Sequence, residues 1–152
     1  MSQEKVDYPP LLAAGIHPFS LEQLRSLTVD GFPNSSRRSI LFGGLSVYVE
    51  LLQNAGLKST IWVDGSFMCA KDDPQDIDLV VVYDPENVDS LSEAALPVVN
   101  NLLNSNFAAA RFGLHVFKVE STDQEGLDFW MQKFGTQRDE TTPKGLAALR
   151  LN

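Results

Sequence analysis

Two short pairs of residues near the middle of the chain have the types and spacing that chemistry requires. Asp76 and Asp78 are two positions apart, so on a strand both side chains point to one face. Leu79 to Val82 follow as an unbroken apolar run. The acids therefore stand at the start of a buried strand, where it meets solvent. Two carboxylates held side by side repel each other, and a divalent cation relieves that repulsion. Mg2+ is the natural ion, with Mn2+ as the alternative, because Mg2+ takes hard oxygen ligands and keeps waters and phosphate oxygens in its shell. The second pair is Gly65-Ser66. A strand running into Gly-Ser exposes backbone N–H groups and a hydroxyl. Glycine lets a phosphate approach closely, and successive N–H groups cradle an anion. Lys71, between the two pairs, and Lys144, whose ordinary reading is likewise a surface lysine, are further candidates for a phosphate. Each feature also has an ordinary reading: a solvated strand start for the acids, a tight turn for Gly-Ser shaped in part by Asp64, and a surface lysine for Lys71.

The elements that must position these residues follow from periodicity and punctuation. Pro9, Pro10, Gly15 and Pro18 interrupt any regular element in residues 1–18, which read as an extended N-terminal arm containing His17 as a loop residue. Residues 19–152 read as one domain. Ser20 can cap a helix over 21–28, and DGFPN at 30–34 is a turn. Ser35 or Ser36 can cap the next helix, with Ile40, Leu41, Leu45, Tyr48, Val49 and Leu52 at helical spacing and Gly56 at its end. Arg37 and Arg38 open that helix against its dipole and are expected in solvent. Gly43 and Gly44 suggest close packing against another element. Thr60–Val63 and residues 77–83 predict strands, the second buried on both faces. Residues 88–104 suit a helix broken or kinked at Pro97. Residues 113–120 alternate as a strand, and Leu127, Trp130, Met131 and Phe134 suit a helix that Gly135 closes. Trp62, Trp130 and the phenylalanines are core candidates. The expected architecture is α+β: a single domain with a mixed β-sheet flanked by helices.

Composition narrows the function classes. The chain has 152 residues and a formal net charge of −8, which disfavours broad electrostatic capture of nucleic acid. A single cysteine, Cys69, permits no intrachain disulfide and is expected to be inert. The opening MSQEKVDYPP lacks a secretion-signal pattern, and no apolar run approaches the roughly 20 residues of a membrane span. A cytoplasmic protein that does not engage a membrane is the expectation.

The string VDGSFMCAKDDPQDIDLVV, residues 63–81, resembles the signature of the DNA polymerase β-like nucleotidyltransferase superfamily: an apolar strand, Gly-Ser, a spacer, then Asp-apolar-Asp on a second strand. The closest likeness is to small bacterial "minimal" nucleotidyltransferase-like proteins, and the tail FGTQRDETTPKGLAAL is similar to the ending of one uncharacterised group of them. A weaker likeness in element order extends over residues 35–120. The resemblance implies a nucleotidyltransferase-type sheet. Asp76 and Asp78 would be catalytic ligands of Mg2+, with Gly65 and Ser66 holding the triphosphate; Lys71 stands beside them as a nucleotide-binding candidate that the resemblance itself does not supply. A hydroxyl would attack the α-phosphate of a nucleoside triphosphate and expel pyrophosphate. Such families usually carry a third carboxylate on the next central strand, and the matching position here is His115. It is either a third metal ligand or a hydrogen-bonded histidine without chemistry. The resemblance thus implies a nucleotidyltransferase acting on a hydroxyl acceptor, which could be a protein side chain, an RNA end or a small molecule. The alternative is a catalytically degenerate module that binds a nucleotide or a protein partner, in the manner of bacterial defence or toxin–antitoxin systems.

Overall fold

The structure, a computed structural model, describes residues 8–137, 139 and 141–152. Arg138, part of the tail singled out above, lies outside the described residues. The first regular element is β1 (Gly15–Pro18). This corrects the expectation that the prolines and Gly15 keep residues 1–18 free of regular structure, and it moves His17 from a loop onto a strand. A proline is tolerated here because β1 is an edge strand, where a missing N–H need not cost a ladder bond. Ser20 caps α1 (Leu21–Arg25) by accepting the Gln23 N–H, while the Gln23 side chain accepts the Ser20 N–H. Two otherwise orphaned donors are satisfied in this way. A wider helical turn continues to Asp30.

Helix α2 (Ser36–Ala55) is capped by Ser35 and stops at Gly56, whose φ of 85° is the left-handed conformation that favours glycine. Leu41, Leu45, Tyr48, Val49 and Leu52 are buried, whereas Ile40 faces out at 73% exposure. Gly44 is a close-packing position, since a Cβ there would lie 2.5 Å from the Phe112 carbonyl oxygen; Gly43 has open space. Strand β2 (Ser59–Asp64) runs into a single 3-10 turn, Ser66–Met68, and β3 (Ile77–Tyr83) follows.

Residues 88–104, expected as a helix broken or kinked at Pro97, hold the end of α3 (Pro85–Asp89) and all of α4 (Ala95–Leu102), and α5 (Ser105–Phe112) follows directly. Pro97 sits in the first turn of α4, where its missing N–H would have had no intrahelical partner. Strand β4 (Leu114–Glu120) and helix α6 (Gln124–Phe134) come next, then β5 (Gly145–Leu151).

The sheet is mixed, with strand order β1-β5-β2-β3-β4. Pairing is parallel for β1 with β5 and for β3 with β4, and antiparallel for β2 with both of its neighbours. Four strands thus point one way and β2 alone the other. One face packs against α2, α4 and α5 through Ile61, Val63, Leu79, Val81, Leu114 and Leu149. The other packs against α6 through Trp62, Val80, Val119, Leu146 and Phe134. The result is the expected α+β domain, a mixed sheet flanked by helices. Among the described residues, no helix is long and apolar enough to cross a membrane.

Candidate functional site

Because β2 runs against its neighbours, its C-terminal end meets the N-terminal ends of β3, β4 and β5 at one rim of the sheet. Asp64 ends β2 and stands opposite Asp78 on β3, and Asp78 stands beside His115 on β4. Lys144 immediately precedes β5. Strand alternation puts Asp64, Asp78 and His115 on the same face as Trp62, Val80 and Phe117, the face α6 covers.

The expected convergence of the acids is present. Ligand atoms of Asp76, Asp78 and His115 all lie within 4.8 Å of one another. The His115 Nδ1 is 3.2 Å from the Asp78 Oδ1, so His115 is both hydrogen-bonded and in ligating position. His115 is half-exposed, at 51%, and its ring lies 4.4 Å from that of Phe117, which in turn lies 4.4 Å from Trp130. Burial and the nearby Asp76 charge push the Asp78 carboxyl above its ordinary value, with His115 and Lys144 acting against the shift. Two carboxylates and an imidazole can hold a divalent cation. Exchanging one carboxylate for an imidazole removes a negative charge and a hard oxygen, which favours Mn2+ over Mg2+ more than an all-carboxylate set would.

The Gly-Ser turn lies against these acids. Gly65 has φ 83° and ψ −167°, a conformation open essentially to glycine. A Cβ on Gly65 would lie 2.5 Å from the Asp78 Oδ2, so the missing side chain is what lets the turn touch the carboxylate. Ser66 opens the 3-10 turn directly after it.

The loop joining the turn to β3 is held by the N-terminus of α2, not by its own side chains. Arg38 is fully buried, contrary to the solvent exposure its sequence position suggests. Its guanidinium donates to the carbonyls of Thr28, Phe67, Cys69 and Lys71 at 2.6–3.0 Å and lies over the Phe32 ring. Burial lowers its pKa to about 10. Arg37 donates to the carbonyls of Pro74 and Gln75, and the Ser35 hydroxyl to Asp73. Both arginines thus donate to the loop's carbonyls. Lys71 lies in the same loop. Its carbonyl accepts from Arg38 and its ammonium lies 5.7 Å from the centre of the Tyr8 ring.

Sequence reasoning overlooked a buried ion pair at this rim. The Lys144 Nζ is 3.0 Å from the Asp64 Oδ2, with side-chain exposures of 13% and 4%. The Asp64 Oδ1 is buried without a hydrogen-bond partner among the described residues. Asp64 is therefore more than a turn-shaping residue. Lys144 sits in the tail FGTQRDETTPKGLAAL, and nothing in its local sequence names a partner eighty positions earlier. Desolvation pushes the Asp64 carboxyl up to about 7, although Lys144 opposes the shift.

This shift has a signed consequence. Between about pH 4 and pH 7 the folded state holds a proton on Asp64 that the unfolded state has released, so the contribution to stability is full below pH 4 and falls as pH rises through 7. Without added divalent cation, stability relative to the Asp64→Asn variant should decline across that window by about 2–4 kcal/mol. Urea unfolding of both proteins at pH 4.5, 6 and 8 checks it. Parallel curves would place the Asp64 pKa near its unfolded value.

No curated protein and no solved structure matches the chain significantly. The match that does exist is to a family model described as a family of unknown function, DUF6932, over residues 5–150. That span takes in β1 to β4, all of β5 but its last residue, the Gly-Ser turn and the acidic cluster, and on it the chain belongs to the DUF6932 family.

Proposed function

We propose that this protein binds a nucleoside triphosphate together with a divalent cation, Mg2+ or Mn2+, and transfers the nucleotidyl group to a hydroxyl acceptor. One observation carries the reading: a Gly-Ser turn with no side chain at Gly65 lies against a carboxylate whose ligand atom is within 4.8 Å of a second carboxylate and an imidazole. Asp76, Asp78 and His115 would hold the cation, which supplies charge neutralisation and orientation of the phosphates. Gly65 and Ser66 provide a surface on which a phosphate can approach the acids closely. Asp78, partly buried, keeps its ligating oxygen pre-positioned, so little ordering is needed when the ligand arrives.

The experiment is a calorimetric titration with a non-hydrolysable triphosphate, with and without Mn2+, followed by a label-transfer assay with a radiolabelled triphosphate. Binding should require the cation, and Asp76→Asn/Asp78→Asn should weaken it by roughly 100-fold, about 2.8 kcal/mol. Equal binding by that variant would overturn the proposal.

His115 supports a second reading. An imidazole occupies the position facing Asp78 from β4, so the site has two carboxylates where a two-metal transfer site would use more. On this reading the protein binds the nucleotide and does not turn it over. Cation-dependent binding without pyrophosphate release would favour it, and gain of turnover in His115→Asp would identify the missing acid as the cause.

A further inference from the structure

The nucleotidyl-transfer reading uses the acids and the Gly-Ser turn but gives the buried Asp64–Lys144 pair no task. A buried ion pair is a poor way to gain stability, since apolar residues of similar volume generally do as well or better. This one is also incompletely satisfied, with the Asp64 Oδ1 lacking a partner. Its position matters more than its energy. Asp64 is the cross-strand neighbour of Asp78, and the charge of Lys144 acts on Asp78. An ammonium has three donors, and the ion pair with Asp64 occupies one.

Charge balance at the rim sharpens the point. Two aspartates and one divalent cation sum to zero, so they attract a polyanionic phosphate chain only weakly. The chain as a whole, at −8, repels it. Arg37 and Arg38 are committed to backbone carbonyls, and Lys71 lies over Tyr8. Lys144 is the described cation placed beside the acids.

Resting on the nucleotidyl-transfer reading, we propose that Lys144 is a substrate-binding residue of this site. Its ammonium meets the phosphate chain of the triphosphate, and Asp64 is the positioning residue that holds it at the rim. The backbone supports that placement. The Lys144 N–H donates to the Gly135 carbonyl and the Gly145 N–H to the Leu12 carbonyl, which fixes where the side chain starts.

The test compares Mn2+ alone with an α,β-methylene triphosphate plus Mn2+, by calorimetry, on the wild type, Lys144→Met and Lys144→Arg. Removing a positive charge beside Asp78 should leave Mn2+ binding unchanged or up to a few-fold tighter. The same change should weaken the triphosphate at least tenfold, and Lys144→Arg should recover part of that loss. A structural role would move both ligands together. Because Lys144→Met leaves Asp64 buried and unpaired, Asp64→Asn/Lys144→Met is measured alongside and should show the same split. Triphosphate affinity within twofold of wild type in both variants overturns the inference alone, as does parallel loss of both ligands. A wild-type protein that binds Mn2+ but no triphosphate brings down the nucleotidyl-transfer reading and the inference with it.

Discussion

Gly65→Ala should destabilise the protein by about 2–4 kcal/mol and remove cation binding from a site that gains no new charge. Two costs add. A non-glycine residue at φ 83° and ψ −167° carries about 1–3 kcal/mol of backbone strain. The new Cβ would also lie 2.5 Å from the Asp78 Oδ2 and 3.1 Å from the Asp78 Cβ. The Cβ belongs to a strand held on both sides, so the backbone yields little and the carboxylate must rotate. Rotation takes Asp78 out of line with Asp76 and His115, and the cation loses its ligand set. Gly43→Ala is the matched control. That position is helical and has open space, so alanine there should stabilise by up to about 1 kcal/mol. Urea midpoints and Mn2+ titration of the two variants should therefore move in opposite directions for stability and differ for binding. Normal Mn2+ affinity in Gly65→Ala would mean that the turn and the acids are separable.

Arg38→Ala should cost about 3–5 kcal/mol, the scale at which one removed partner leaves buried groups uncompensated. The guanidinium is fully buried and satisfies carbonyls from two separate segments, Thr28 before α2 and Phe67, Cys69 and Lys71 after β2. Deleting it strands those oxygens and opens a cavity beneath Phe32 and Phe67. Lysine should rescue little. Its single ammonium cannot reach the carbonyls that a planar fork of five N–H groups reaches together. The measurement is the urea midpoint of Arg38→Ala and Arg38→Lys. A loss below about 1 kcal/mol would show that water replaces the arginine's bonds without penalty.

The sequence made some of this arrangement legible. The spacing of Asp76 and Asp78, the apolar run behind them and the Gly-Ser break were local features, and the structure brings them together. His115 could be read as facing away from the core because Leu114 and Val116 alternate around it, and that burial pattern is present. What escaped was non-local. Strand β5 reads GLAALRL, rich in helix-forming alanine and leucine, and becomes a strand because it fills the gap between β1 and β2. Strand β1 hid behind Gly15 and Pro18, which an edge position excuses. Arg38 was misplaced because a charged residue in a helix's first turn ordinarily faces water. The carbonyls that draw it inward are that of Thr28, ten residues earlier, and those of a loop some thirty residues later. Lys144 and Asp64 are eighty residues apart in sequence, and the antiparallel pairing of β2 with β5 brings them to one rim.

The first described residues have a share in the site's rigidity. The Leu11 N–H donates to the Met68 carbonyl and the Ala70 N–H to the Pro9 carbonyl, so a stretch ahead of β1 is laced to the segment just past the Gly-Ser turn. In exchange with heavy water, the amides of Leu11 and Ala70 should open as one cooperative unit. A protease cut between residues 12 and 14 would accordingly be felt nearly sixty positions downstream, as slackening of the turn itself and not as simple fraying of an end.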